Sequence, residues 1–283
     1  MNILVIGAGG MAGHVISLYF SEKGYNVTSL TRKKIDFLPN NILGDASDSI
    51  FLGKLLKKHK YEIVINCVGI LNQFADDNKS EAILLNSYLP HYVASILKDT
   101  RTKLIHMSTD CVFAGNTGPY HEYSFKDGTT FYDRTKSLGE IDDDKNLTFR
   151  NSIVGPDTSK SGIGLFNWFM NQKGPIKGFT RAIWTGVTTP ILAEAMERAI
   201  FEDLSGIYNL VNNDAISKFE LLNLFNHFFR NNRIEIFPDD RIKLDKSLVC
   251  NRTDFSFIIP SYSEMIEQMR KWMDEHKYLY HYY

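Results

Sequence analysis

Asn2-Ile3-Leu4-Val5-Ile6-Gly7-Ala8-Gly9-Gly10-Met11-Ala12-Gly13 is the stretch on which the fold turns. Asn2–Ile6 is a short, nearly continuous apolar run of strand type, and a glycine-rich turn follows at once. Val15, Ile16, Leu18, Tyr19 and Phe20 then carry a helical pattern that stops at Lys23-Gly24. A strand, a glycine turn and a helix let backbone N–H groups and a helix N-terminus hold a pyrophosphate. Gly7 permits the tight turn, Gly10 lets the backbone approach the phosphates with Met11 beside it, and Gly13 brings helix and strand close together. An ordinary glycine turn has the same composition. Three glycines in register with both flanks correct favour a dinucleotide site.

Working outward, Tyr25–Leu30 reads as a second strand ending in Thr31-Arg32-Lys33-Lys34. An acid at this point would accept hydrogen bonds from the adenosine ribose, whereas an arginine suits an added 2′-phosphate. Arg32 and the absence of a carboxylate before Asp36 favour NADP(H) over NAD(H). Ile42-Leu43 is a short third strand, and Asp45 and Ala46 leave its end where an adenine would lie. Ser47 or Asp48 caps the helix that follows, Ser49–His59. Glu62–Cys67 is a buried fourth strand, with Val68-Gly69-Ile70 turning from its C-terminal edge. That edge is where parallel α/β sheets bind ligands. Ser80–Lys98 is helical, with Pro90 at a kink and Asn86 placed for a structural or a ribose contact. Lys103–Met107 is the fifth strand, and Ser108-Thr109-Asp110-Cys111-Val112-Phe113 leaves it directly. Strands alternating with helices over short links predict an α/β fold of Rossmann type, a doubly wound parallel sheet with right-handed crossovers.

The 283 residues allow a nucleotide-binding domain with a smaller appendage: residues 1–155 for cofactor and chemistry, and 156–283 as mainly a substrate-binding lobe with segments returning to the first domain. A net charge of −1 gives no global field for nucleic acid or an anionic membrane. No stretch approaches the roughly 18 apolar residues of a membrane span, and no basic-then-apolar leader opens the chain. Cys67, Cys111 and Cys250 are too few and too scattered for a disulfide framework or a zinc site. They suit a reducing cytoplasm.

Tyr132-Asp133-Arg134-Thr135-Lys136 begins a helix running towards Glu140, and positions four apart share a helix face. Tyr132 and Lys136 can therefore point into one pocket. A phenol is a poor acid–base group at neutral pH unless a cation stabilises its anion, and an ammonium one turn away is placed to do so. The Thr109 hydroxyl at the end of the fifth strand would bond a substrate carbonyl oxygen and hold it near the phenol. A Tyr-x-x-x-Lys pair alone is common on surface helices. Its weight comes from the glycine turn and the Ser-Thr strand end upstream.

Taken together, GAGGMAG (7–13), INCVGI (65–70), STDCVF (108–113), GPYHE (118–122), YDRTKSLGE (132–140) and FRNSIVG (149–155) resemble the extended short-chain dehydrogenase/reductases, and among them the dTDP-4-dehydrorhamnose reductase group. The resemblance implies Tyr132 as proton donor, Lys136 as its activator and ribose clamp, and Thr109 as the carbonyl-orienting hydroxyl. It also implies that Asn151-Ser152-Ile153 pass the nicotinamide amide and that Cys67-Val68-Gly69 lie along the cofactor. Ile70, Asp110, Cys111 and Phe113 then border the sugar. Cys111 stands where a tyrosine commonly follows STD, and Asp133 replaces the usual glycine. The first implies a reshaped sugar pocket; the second adds a negative charge beside the acid, pointing away from the pocket.

Beyond Gly155 the parallel pattern lapses into an aromatic helix, Ile163–Asn171, then the helix Pro190–Phe201, a strand Ile207–Val211, and helices Ser217–Arg230 and Tyr262–Lys277. Trp168, Trp184 and Arg181 are candidates for a base or a diphosphate, against a core or surface reading for each. The expected activity is an NADP(H)-dependent reduction of a nucleotide-activated 4-keto-6-deoxy-sugar for a surface polysaccharide. A nucleotide-sugar epimerase or dehydratase on the same fold is the enzymatic alternative, and a non-catalytic NADP-binding subunit, like the regulatory subunit of methionine adenosyltransferase, is the other. Oligomeric state stays open, a homodimer being common for such an architecture.

Overall fold

The computed structural model describes residues 1–282; Tyr283 of the tail lies outside them. In chain order the first half is β1 (Asn2–Ile6), α1 (Met11–Glu22), β2 (Asn26–Thr31), β3 (Asn41–Leu43), α2 (Ser49–Lys58), β4 (Ile63–Asn66), α3 (Asn72–Asp77), α4 (Lys79–Ala82), a π turn (Ile83–Tyr88), α5 (Leu89–Leu97), β5 (Lys103–Ser108) and α6 (Phe131–Leu138). Then come β6 (Leu147–Arg150), β7 (Ser152–Val154), α7 (Leu165–Met170), β8 (Ile176–Phe179), β9 (Ala182–Trp184), β10 (Gly186–Thr188), α8 (Thr189–Phe201), β11 (Gly206–Asn209), β12 (Ile216–Ser217), α9 (Lys218–Arg230), β13 (Ile236–Asp239), β14 (Leu244–Asp245) and α10 (Tyr262–Glu275).

Seven strands form the central sheet in the order β11-β6-β5-β4-β1-β2-β3, every pairing parallel. Strand order reverses between β1 and β4, so the crevice at their carboxyl ends is the topological switch point where such sheets bind ligands. β1 and β4 are buried on both faces, as their unbroken apolar runs require. One core cluster packs α1, α8, α9 and α10 on one side of the sheet, and a second packs α2 and α5 on the other.

Two rearrangements bring the second half of the chain back to the crevice. After Arg150 the chain leaves the sheet, and β7 pairs with β10 instead; β11 then returns to extend the sheet beside β6. A small three-stranded sheet, β12-β9-β14, is built from the second half of the chain. Among the described residues no helix is long and apolar enough to cross a membrane.

The irregularity expected at Pro90 lies one turn earlier. Pro90 has no N–H to return to the carbonyl of residue 86, and the helix widens into the π turn Ile83–Tyr88.

Candidate active site

A cavity of about 470 Å³ opens at the switch point. On its cofactor side it is lined by Gly10 and Met11 at the start of α1, by Cys67, Val68 and Gly69 after β4, and by Asn151, Ser152 and Ile153 where β6 gives way to β7. Thr109, Asp110 and Cys111 close it from the end of β5, Tyr132 and Lys136 from α6, and Trp184 from β9. Residues more than a hundred positions apart in sequence thus meet in one space.

The glycine turn has the shape a pyrophosphate needs. Gly7 sits at φ +81°, and a Cβ on Gly13 would stand 2.2 Å from the Gly7 carbonyl oxygen. A Cβ on Gly10 would meet only that oxygen, at 3.5 Å, so the approach to α1 is open. No side chain caps α1, which leaves its first N–H groups to a ligand. In the opposite wall the Asn151 side chain is buried with neither amide atom hydrogen-bonded. An orphaned amide facing a cavity has unused capacity for a polar ligand group. These features fit a nicotinamide dinucleotide.

Tyr132 and Lys136 share the inward face of α6, whose start is fixed by a capping box between Thr130 and Asp133. Asp133 is thereby turned to the backbone of Thr130, with Lys246 at 3.8 Å. Lys136 is buried, and its Nζ donates to the Met107 carbonyl at 2.6 Å. Burial pushes the Lys136 ammonium down to about 8, with Glu140 and then Cys67 pulling it back up. Burial first, then Cys111, pushes the Tyr132 phenol above its ordinary range, and a Thr109 hydrogen bond pulls it the other way. The Lys136 ammonium is thus tied to the β5 carbonyl one turn of α6 from the phenol.

Thr109 carries two bonds of its own. Its hydroxyl donates to Asp110 Oδ1 at 3.0 Å and accepts from the Cys111 N–H at 3.1 Å, capping the turn Asp110–Val112. Burial holds the Asp110 carboxyl above the usual carboxylate range. The Cys67 and Cys111 thiols are each pushed up to about 12 by burial, so neither is a thiolate nucleophile at neutral pH.

Several residues singled out in the sequence lie elsewhere. Asn86 is enclosed: its Oδ1 accepts from Ile70 N at 2.8 Å, and its Nδ2 donates to Ile70 O at 2.9 Å and Thr135 Oγ1 at 3.1 Å. It clamps the loop after β4 to α6, so a ribose contact is replaced by a structural one. Ile70, held in that clamp, is not part of the cavity lining. Phe113 is fully buried, stacked on Tyr120 at 4.2 Å beneath the Arg150 guanidinium, and cannot border a sugar. Trp168 faces outward from α7, 41% exposed, while Phe166 and Phe169 take the core. Arg181 is exposed outside the cavity. Arg32 and Asp45 are exposed just past the carboxyl ends of β2 and β3, and neither lines the cavity. The Asp45 carboxylate accepts from Ser47 N and Oγ, which with Arg32 holds it below its ordinary range. Asp48 caps α2.

The cavity also takes in Asn72, Asp157 and Lys218, which sequence reasoning passed over. Ser217-x-x-Glu220 marks the start of α9 as a capping box. Only the pairing of β12 with β9 carries Lys218 over the cavity.

A parallel sheet in this order, with Thr, Tyr and Lys gathered at its carboxyl edge, is the architecture of the extended short-chain dehydrogenase/reductases. Residues 1–243 match the family described as RmlD substrate binding domain, and the chain belongs to it. It is similar to the spore coat polysaccharide biosynthesis protein SpsK of Bacillus subtilis, at 29% identity over 77% of this chain and 76% of that one. It is also similar to a dTDP-4-keto-6-deoxy-D-glucose reductase of Streptomyces niveus, at 29% identity over 48% of this chain and 45% of the other, so that match spans less than half of the relative. Among solved structures, the dTDP-4-dehydrorhamnose reductase of Bacillus anthracis in complex with NADP shares the fold, with a TM-score of 0.77 at 18% identity over 95% of this chain and 98% of that one.

Proposed function

We propose that the protein is an NADPH-dependent reductase of a nucleotide-activated 4-keto-6-deoxy-sugar, supplying a deoxysugar for a surface polysaccharide. The observation that carries this reading is the convergence of Thr109, Tyr132 and Lys136 on one wall of a cavity whose other wall is an open glycine turn. The relatives named for this reduction and for coat polysaccharide synthesis support the substrate class.

Bound NADPH would supply the reducing hydride. Gly10, Met11 and the start of α1 would hold its pyrophosphate, Arg32 its 2′-phosphate, and Asn151-Ser152-Ile153 its nicotinamide end. Thr109 orients the keto oxygen by redirecting its hydroxyl from Asp110. Tyr132 gives that oxygen its proton; burial holds the phenol protonated until then, and the neighbouring ammonium offsets the cost of the phenolate that donation leaves. Lys136, anchored on Met107, stands in the oxidised product complex as the cation facing the spent phenolate. Trp184, Cys111 and Lys218 bound the sugar end.

In this reading residues 1–155 carry cofactor and chemistry. Residues 156–283 form the substrate lobe, with β11 and α8 returning to the sheet and to α1. Three free cysteines fit a cytoplasmic enzyme. The test is NADPH oxidation by the purified protein across dTDP-, UDP- and GDP-linked 4-keto-6-deoxy-hexoses. Turnover with one of them is expected. Tight NAD that survives dialysis, with no net NADPH consumption, would favour an epimerase or dehydratase instead.

A further inference from the structure

Glu140 lies four residues beyond Lys136, just past the end of α6, and has no role in the chemistry above, yet it is among the most heavily bonded side chains in the molecule. Its Oε1 accepts from Arg150 Nε at 2.8 Å and Ser108 Oγ at 2.6 Å. Its Oε2 accepts from Arg150 Nη2 at 2.8 Å and Lys126 Nζ at 3.0 Å. Both members of the Glu140–Arg150 pair are 0% exposed. Arg150 spends its remaining donors on the Glu122 carbonyl and Asn209 Oδ1, and its guanidinium lies over the Phe113 ring.

A buried ion pair is weak evidence for stability, because an apolar pair of similar volume often does as well. This one is placed where stability is not the main issue. Ser108 immediately precedes Thr109, and Glu140 lies two residues past the end of the helix that carries Tyr132 and Lys136. We propose that Glu140 is a positioning residue for the reduction: through Ser108 it fixes the strand end that presents Thr109, and from behind α6 it sets a carboxylate against the Lys136 ammonium. The inference rests on the reductase reading of this site.

The groups acting electrostatically on Lys136 are few. Glu140 acts from the segment just past α6, Cys67 from the residue after β4 and His106 from within β5. The π turn packed beside α6 presents Asn86 and no charge. The turn Asp110–Val112 presents Asp110, which is engaged with Thr109 and acts with Lys246 and Lys218. Glu140 is the strongest of these in holding the ammonium charged while burial opposes it. Burial opposes the Glu140 charge, but Arg150, Lys126 and Ser108 outweigh it and hold the carboxyl below the usual range.

Two variants separate this role from a structural one. E140L/R150M removes both buried charges together, so neither is left facing an empty partner, while Lys126, a third exposed, can turn to solvent. Titration of the Lys136 Nζ by NMR on 15N-lysine-labelled protein, with the signal assigned by its loss in K136R, reads the ammonium without any turnover. Its midpoint should fall by about one pH unit or more in E140L/R150M, and the alkaline limb of kcat should fall with it. S108A, a small change that folds whether or not the double variant does, should lower kcat about tenfold with little change in KM and leave the Lys136 midpoint in place. An unmoved midpoint in folded E140L/R150M overturns the proposal, and so does an S108A enzyme with wild-type kcat. A midpoint that moves in a protein reducing none of the nucleotide-sugars supports the Glu140 role and refutes only the assigned substrate.

Discussion

Lys136 Nζ donates to the Met107 carbonyl at 2.6 Å, tying α6 to the penultimate residue of β5. The bond spans 29 residues of sequence and sets the separation between Tyr132, on the helix, and Thr109, two residues beyond Met107. It also determines what pH does to the enzyme. Reduction should decline as pH rises through about 8, where the buried ammonium loses its charge. A kcat profile on saturating substrate checks this; a flat profile to pH 10 would refute a charged Lys136.

The same burial makes Lys136 a cost to folding. The ammonium titrates at 10.5 when exposed and near 8 in the fold, so the penalty is full below about 8 and fades as pH rises towards 10.5. Lys136→Met should therefore abolish turnover while gaining up to about 3 kcal/mol at neutral pH. Urea unfolding of both proteins at pH 7 and 10 checks this, with the difference shrinking at the higher pH.

Gly13→Ala and Gly10→Ala should fail differently. A methyl at residue 13 meets the Gly7 carbonyl oxygen at 2.2 Å and Ala8 Cα at 2.9 Å, both backbone, so the turn must open. The expected loss is about 2–3 kcal/mol of stability. A methyl at residue 10 meets only one atom at 3.5 Å, so the protein should fold normally and bind NADPH weakly. Thermal unfolding and NADPH titration on both variants separate the two effects.

Arg32→Ala should cost about tenfold or more in NADPH affinity and leave NADH affinity nearly unchanged, because only the 2′-phosphate meets the guanidinium. The ratio of KM values for the two cofactors measures this. An unchanged ratio would return Arg32 to the solvated turn that its exposure equally permits.

What could be read from the residues was local. The glycine turn, the first five strands of the parallel sheet and the helix carrying Tyr132 and Lys136 depend on neighbours within one element, and each lies where its pattern placed it, whereas β6 is not marked by its own residues. The substrate end depends on pairings between distant segments, such as β12 on β9 and β11 on β6, which leave no periodic trace. Trp168 shows the limit: helical spacing located α7, but Phe166 and Phe169 took its inner face. Asn86 shows another, since a polar residue mid-helix carries no mark of the π turn that aims it at Ile70. The Glu140–Arg150 pair joins two motifs that the sequence displays separately.

The most direct test of the central claim uses NADPH carrying deuterium at C4 of the dihydronicotinamide, with the 4-keto-sugar nucleotide that supports turnover. Wild type should deliver the label to C4 of the hexose in the stereospecific sense of one cofactor face. Tyr132→Phe should bind NADPH as well as wild type and transfer label about 10²–10⁴-fold more slowly. Label at C4 from the phenylalanine variant at the wild-type rate would contradict the assignment of Tyr132 as the acid. Its absence from the hexose in wild type, across the whole panel, would contradict the reductase itself.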